Sequence, residues 1–411
     1  MMDVPKAKPQ ALCEQPRIKA GIIGATGYAG AELCRLLSMH PNVEKLFLSS
    51  SSSAGKSLHE IYPSFTKRIE IILGTPDMVL QLSDVVFAAL PAGAAEEYAN
   101  DCIDIGIPFI DISADFRFDD DGETYAAWYG KEYKYPELHK KSVYGLPEMN
   151  RQKIRDAAAA DKGALIIGNP GCYPTSITLG AMPALSRIKD LGEHQSQPVI
   201  AGEGTIIADS ASGVTGGGRE TARAYHYPEC ADNISPYKVG EHRHTPEISR
   251  NFSLIEGCTE NQRHVIFTPH LCPMNRGILS TIYIPLSNEY KVHTYDKQSS
   301  IEMQNNFCKP RPRSAQIKDK LEHIHKLYSN YYRDEYFVRV LPLGINASPN
   351  RVRASNYCDI SVGIDQSGSM LIITSAIDNM VKGAAGQAIQ NMNIIFCLEE
   401  STGLQMIPSV F

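Results

Sequence analysis

The chain of 411 residues predicts an α/β fold in two parts, a doubly wound parallel sheet followed by an α+β unit on a mixed sheet. Three features predict it. A short apolar strand, Ile18-Lys19-Ala20-Gly21-Ile22-Ile23, runs into a glycine turn and then a helical stretch with apolar residues on one face, Ala31-Glu32-Leu33-Cys34-Arg35-Leu36-Leu37. Strands keep alternating with helical segments up to about residue 170, and such alternation builds parallel sheets that bind ligands at their C-terminal ends. Beyond that point the pattern turns β-rich: 198–208, Val265–Pro269 and Ile278–Ile284 all read as strands.

The first turn is Gly24-Ala25-Thr26-Gly27-Tyr28-Ala29-Gly30. Strand, glycine turn and helix in that order make a dinucleotide fingerprint of Rossmann type, here spaced GxxGxxG instead of the commoner GxGxxG. An ordinary strand–helix turn is the plainer reading of the triplet alone. The second strand, Val43–Leu48, ends in five serines, Ser49 to Ser53, followed by Gly55-Lys56. An acidic residue there would bind a ribose 2′-hydroxyl, whereas hydroxyls and a cation suit a 2′-phosphate. The expectation is therefore NADP over NAD, against the alternative of a flexible serine loop. A further strand, Asp84–Leu90, ends in Pro91-Ala92-Gly93 with a helix from about Ala94. Another, within Pro108–Arg117, brings Arg117 just past a strand end, either as a phosphate-facing cation or as half of a surface salt bridge.

Asn169-Pro170-Gly171-Cys172-Tyr173-Pro174 is the most informative stretch. Ala164–Gly168 reads as a buried strand and Thr175 onward as a helix whose first turn tolerates Pro174. A thiol at a helix N-terminus meets unpaired N–H groups and the positive end of the dipole, which favour thiolate. That environment prepares an acyl-transfer nucleophile; a buried structural cysteine is the plainer alternative.

Glu241-His242-Arg243-His244-Thr245-Pro246-Glu247-Ile248 is the densest cluster of titratable cations. Histidine titrates near neutrality and can move protons in a thiol–carbonyl reaction, although the same composition also suits a solvated basic loop. Metal binding is disfavoured, because no CxxC or HExxH partner accompanies the pair. The glycine-rich Ser212–Arg219 can wrap a ligand with backbone N–H groups or be a plain loop. Residues 287–335 read as a polar insertion or helical hairpin around Cys308, with His323 and His325 at its surface, and Asp378–Gln390 as a helix of small residues.

Composition bounds the function. Charged residues make up 21% and the formal net charge is -6, so nothing argues for nucleic acid or anionic membranes. No apolar run approaches the ~18 residues of a membrane helix. Ten cysteines without a CxxC pair suggest reduced thiols, hence a cytoplasmic setting, or an organelle if residues 1–17 are a transit remnant. Those residues otherwise read as a disordered extension.

Taken together, the stretches GATGYAG (24–30), DISADFR (111–117), VYGLPE (143–148), GNPGCYPT (168–175), HRHTPEI (242–248), FTPHLCPMNRGIL (267–279), Ala354-Ser355-Asn356 and DNMVKGAAGQAIQNMN (378–393) resemble the N-acetyl-gamma-glutamyl-phosphate reductases. These belong to the aspartate-semialdehyde dehydrogenase group, and the stretches span nearly the whole chain. The resemblance implies Cys172 as nucleophile, His244 as acid–base with His242 beside it, and Arg117 on the substrate phosphate. It also implies that the chain returns to its first part at the end, giving a nucleotide domain of 18–170 with 375–411 and a substrate domain of 171–374. Cofactor contacts are expected from Gly24, Thr26, Gly27, Tyr28, Gly30, Ser49, Ser50, Ser53, Lys56, Pro91 and Asn379. Substrate contacts are expected from Ser113, Arg117, Asn169, Gly217, Arg219 and Arg243, with no metal. The implied reaction is NADPH-dependent reduction of an acyl phosphate through a cysteine thioester, in a homodimer or homotetramer. The chain departs from the family at Ala92, where a histidine is common, and at Ala211, near a common lysine. A sibling activity on another acyl phosphate, or a silent NADP-sensing protein, are the competing readings.

Overall fold

A computed structural model of the chain describes residues 16–118, 121–160, 164–186, 199–258, 263–292 and 313–408. The predicted N-terminal extension, apart from residues 16 and 17, and the surroundings of Cys308 lie outside the described residues. Six strands, β1 (Ile18–Ile23), β2 (Val43–Ser49), β3 (Val85–Ala88), β4 (Phe109–Asp111), β5 (Ser142–Tyr144) and β6 (Ile166–Gly168), form one sheet in the order β2-β1-β3-β4-β6-β5. Every pairing in it is parallel. β1 is flanked by β2 on one side and β3 on the other, so the chain reverses its direction of winding there. A crevice opens at such a switch point, beyond the strand C-termini.

Seven more strands, β7 (Ile206–Ser212), β8 (Ser235–Pro236), β9 (Val265–Leu271), β10 (Ile278–Pro285), β11 (Val338–Val340), β12 (Cys358–Ile364) and β13 (Met370–Ile377), form a mixed sheet in the order β11-β12-β13-β10-β7-β9-β8. The expected α/β class with one parallel and one mixed sheet is thus what the chain adopts. β10 alternates buried and half-buried residues along its whole length. Its buried side chains, Ile278, Ile282 and Ile284, join a core with Ile177 and Leu179 of the helix Cys172–Leu185, Phe252 of Thr245–Glu256, and Leu327 and Tyr328 of Arg313–Tyr331.

Four local readings are corrected. The strand expected over 198–208 is displaced to Ile206–Ser212, because Gly204 takes φ +117 and turns the chain first. Only Phe109–Asp111 of the run 108–117 is strand; Asp111 then accepts from the backbone N and hydroxyl of Ser113 and starts a turn. The helix read over Asp378–Gln390 begins as a π-turn, Val381–Ala385, before the helix Gly386–Ile395. His323 and His325 are half-buried, and His325 Nε2 bonds the Leu341 carbonyl at 2.9 Å, since the helix Arg313–Tyr331 packs its apolar face onto the second core.

Candidate active site

A cleft of about 1210 Å³ runs between the two sheets, from the serines after β2 to the N-terminus of the helix Cys172–Leu185. Its nucleotide end is built by backbone. Gly24 has φ +87, and a Cβ on it would lie 2.4 Å from the Ala89 carbonyl oxygen, so only glycine turns the chain here. A Cβ on Gly30 would lie 2.2 Å from the Gly24 oxygen, so Gly30 brings the helix Tyr28–Leu37 onto its turn. Gly27 is the N-cap of that helix and offers no side-chain cap. Its first N–H groups are thus available to an anion in the cleft. Ser50 accepts or donates at 2.8 Å to Thr26 Oγ1 and continues through Ser52 to Ser53, a hydroxyl chain that suits a sugar phosphate.

These residues fit a dinucleotide with a 2′-phosphate. Gly24, Thr26, Gly27, Tyr28, Ser49, Ser50, Ser53, Pro91 and Asn379 line the cleft, Gly30 supports it from behind, and Lys56 is exposed and absent from the lining. The serine chain lies in the cleft, whereas Lys56 stands outside its lining. Ser50→Asp is expected to lower kcat/KM with NADPH by about 10–100-fold while sparing NADH, because like charges then face each other. Lys56→Ala should leave the ratio unchanged. Steady-state kinetics with both cofactors checks both statements.

The catalytic end is held by an arginine and a glutamate. Arg117 Nε donates to the Asn169 carbonyl at 2.9 Å and Nη2 to the Ile112 carbonyl at 3.0 Å. Its Nη1 reaches His244 Nε2 at 3.3 Å and Glu247 Oε2 at 3.4 Å. Arginine can only donate, so Nε2 accepts and the His244 proton sits on Nδ1, which has no partner among the described residues. The Glu247 carboxylate is 0% exposed and accepts from Gly171 N at 2.9 Å and Tyr144 Oη at 2.8 Å. One carboxylate thus fixes the residue before Cys172, the arginine, and a tyrosine. A Cβ on Gly171 would lie 2.7 Å from His244 Nε2, so the missing side chain is what lets the imidazole approach the start of the cysteine helix. His242 lies behind, its Nδ1 accepting the His244 backbone N–H at 3.1 Å, its ring against Tyr173, Tyr237 and Phe267.

Burial sets the protonation states. It pushes the Cys172 thiol up to about 11, against the opposing pull of Arg117. Burial thus opposes the partly ionised thiol that the helix end by itself favours. His244 is driven well below its ordinary value, first by burial, then by His242, Arg117 and Arg243. His242 is lowered to about 3, by burial and then Arg243 and Lys238. The pair is therefore thiol and neutral imidazole, the protonation states in which an imidazole can take a proton from a thiol. No hydrogen bond joins the two at rest, as is common before substrate arrives.

Ser113, Arg117, Gly217, Arg219, Arg243, His244 and Cys172 line the cleft; Asn169 and His242 stand behind its wall. Asn169, fully buried, donates to the Ala384 carbonyl at 3.2 Å, which makes it a scaffold for the wall. Arg219 donates to the Thr26 carbonyl at 3.0 Å and its guanidinium lies 4.9 Å from the Tyr62 ring centre, so it braces the glycine turn from the second sheet's loop. Arg243 is exposed at the mouth, 5.7 Å from the Tyr129 ring centre. The sequence reading missed Glu247, Tyr144 and Asp115. Asp115 accepts from Gly93 N, Ala95 N and Tyr125 Oη and so pins the loop after β3 at the cleft. Glu247 had a legible signal, three residues after His244 on one helical face. Asp115 had none, because its partners are a separate loop and helix. Among the described residues no group of three or more His, Cys, Asp or Glu is placed to hold a metal.

A glycine-turn nucleotide cleft ending in a helix-end cysteine, with a neutral histidine and a fixed arginine beside it, defines a thiol-dependent, dinucleotide-using oxidoreductase. Comparisons with known proteins agree with that class. Residues 19–157 match the family model described as semialdehyde dehydrogenase, NAD binding domain, and residues 172–313 and 312–379 match semialdehyde dehydrogenase, dimerisation domain. Solved structures similar in fold include aspartate semialdehyde dehydrogenase II from Vibrio cholerae, with TM-score 0.64 and 15% identity, covering 92% of this chain and 98% of that one. Another is aspartate semialdehyde dehydrogenase with NADP from Candida albicans, with TM-score 0.61 and 18% identity over 92% and 98%. At full length the chain is 47% identical over 397 residues to the N-acetyl-gamma-glutamyl-phosphate reductase of Brachyspira hyodysenteriae, covering 96% of this chain and 100% of the relative. It is 45% identical over 394 residues to that of Clostridium beijerinckii, covering 96% and 100%. The chain belongs to the N-acetyl-gamma-glutamyl-phosphate reductase family of the semialdehyde dehydrogenases.

Proposed function

We propose that this chain carries out the family's reaction with Cys172 as nucleophile and His244 as acid–base. The reaction is NADPH-dependent reduction of N-acetyl-L-glutamyl 5-phosphate to N-acetyl-L-glutamate 5-semialdehyde and phosphate, a step of arginine biosynthesis. The observation that carries the reading is the convergence of Cys172, His244 and Arg117 on one end of the glycine-turn cleft. His244 Nε2 accepts the thiol proton as sulfur attacks the acyl carbon; the C–S bond forms, the C–O bond to phosphate breaks, and phosphate leaves beside Arg117 and Arg243. Both cations stabilise that departure, Arg117 as a fixed charge and Arg243 as a mobile one. NADP(H), held by the glycine turn and the serine chain, supplies the hydride that reduces the thioester. His244 then protonates the hemithioacetal oxygen, and as the C–S bond breaks that proton passes through the imidazole to sulfur.

The substrate-contact set Ser113, Arg117, Gly217, Arg219 and Arg243, with Asn169 behind the wall, belongs to this proposal, as does the division into 18–170 with 375–411 and 171–374. The cofactor set is Gly24, Thr26, Gly27, Tyr28, Ser49, Ser50, Ser53, Pro91 and Asn379. In reverse, N-acetylglutamate semialdehyde and NADP should give at most one NADPH per site without phosphate and sustained turnover only while inorganic phosphate is present, because phosphate must cleave the thioester. Sustained multiple-turnover NADPH formation without phosphate would sink the phosphorolysis of a thioester, and aspartate semialdehyde accepted equally well would favour the sibling reading.

The outer face of the second sheet supports a homodimer, or a tetramer built from two. Ile266, Ile207, Tyr283 and Ile372 pair directly across β9, β7, β10 and β13, and this apolar row is only partly covered, Ile266 being 46% exposed. A second copy of the same sheet face is the occupant that fits it. Sedimentation should give a dimer or tetramer at micromolar concentration, and Tyr283→Lys should yield monomer; a monomeric wild-type chain would overturn this. No helix of the described residues is long and apolar enough to cross a membrane, and a cytoplasmic setting is part of the proposal.

A further inference from the structure

Behind the nucleophile lies a buried ion pair that the reaction above does not use. Lys382 Nζ donates to Glu148 Oε1 at 2.6 Å and Gln390 Oε1 at 2.8 Å, with the Phe337 ring centre 5.7 Å away. The two charged side chains are 0% and 1% exposed. A buried pair of this kind is seldom more stabilising than well-packed apolar residues of the same volume, and its best-attested use is to specify one conformation.

The conformation at stake is next to Cys172. Lys382 belongs to the π-turn Val381–Ala385, a wide turn met mostly as an insertion at functional sites. The following residue, Gly383, packs on the nucleophile: a Cβ there would lie 2.8 Å from Cys172 Cβ and 3.2 Å from its Cα. Met380, Gly383 and Ala384 line the cleft. Slipping the turn by one residue into an α-helix would swing position 382 by roughly 100° away from Glu148. It would also bring a residue that carries a Cβ against Cys172. Glu148 cannot follow, because it starts the helix Pro147–Ala160, and Gln390 bridges it to Glu400.

We propose that Lys382 and Glu148 form a positioning pair that locks the π register of 381–385 and thereby seats the Gly383 backbone against Cys172. The inference rests on Cys172 as the nucleophile. In the apolar double variant Lys382→Met/Glu148→Met the fold should persist, with a melting temperature near that of the wild type and an unchanged Kd for NADP. Turnover should fall by about 10–100-fold, the range that follows small misplacement of a reacting group, with KM for the acyl phosphate little altered. Backbone amides 381–385 should exchange with deuterium faster, while those of 386–395 keep their protection. Wild-type turnover in the folded double variant would overturn the proposal.

Should that variant fail to fold, Glu148→Gln keeps the volume and the oxygen that accepts from Nζ while removing the counter-charge. Faster exchange at 381–385 with a several-fold loss of turnover is expected of it, and unchanged exchange together with unchanged turnover would overturn the proposal equally. Full activity of Cys172→Ser would remove the nucleophile reading alone, since the exchange pattern reports the register without turnover.

Discussion

Cys172→Ser is expected to lower turnover by on the order of 10⁴-fold or more, the scale of losing a covalent nucleophile, while NADP binding persists. The thiol sits at the first residue of a helix whose N-cap, Gly171, is bonded by Glu247. Burial pushes the thiol up to about 11, so in the proposed mechanism ionisation is coupled to attack through His244. A hydroxyl is harder still to ionise and is a poorer leaving group when the hemithioacetal analogue collapses. Alkylation of the ligand-free wild type by iodoacetamide should rise about tenfold per pH unit from 7 towards 11, since thiolate fraction grows tenfold per unit below the thiol's value. A fully active serine variant, or an alkylation rate that is flat above pH 7, contradicts these statements separately: the first removes the nucleophile, the second the buried thiol.

His244→Ala should cost about 10²–10⁴-fold in kcat, the usual contribution of a positioned proton carrier, and His242→Ala much less. His244 lines the cleft with Nε2 turned to Arg117 and Gly171, whereas His242 reaches the site only through the His244 backbone. The sign of the pH dependence follows from burial. A histidine whose value is depressed stays neutral as pH falls through 6.5, so the base remains competent there. The acid limb of kcat/KM should thus lie below about pH 6.5. Larger damage from His242→Ala, or an acid limb near 7, would reverse the assignment.

Local sequence was enough wherever the signal is carried by consecutive residues. β1, the glycine turn and the helix Tyr28–Leu37 follow from apolar spacing and from a turn that only glycine can make. The helix beginning at Cys172 follows from a strand broken by Pro170-Gly171. The alternation of strands and helices set the parallel sheet, and the β-rich remainder set the mixed one. Boundaries moved where a turn intervened, as at Gly204, and a helix gained a π-turn at 381–385 because Gly383 must approach Cys172, residues more than two hundred positions apart.

What tertiary structure alone decided is electrostatic and steric. The motif around Cys172 read as a place for thiolate, since helix dipoles are local; side chains from distant segments exclude water and push the thiol the other way, burial outweighing the pull of Arg117. The histidine cluster that composition allowed to be a solvated loop is buried, for Tyr173, Tyr237 and Phe267 enclose it. Arg219, which lines the cleft, also bonds the carbonyl of the glycine turn, and Lys56 is exposed outside the cleft lining, because position is set by packing and not by proximity in sequence. Sequence determined which residue types are present and where the chain turns. Which charges meet, and in how little water, was decided by long-range packing that brings Arg117, Gly171, His244 and Glu247 together.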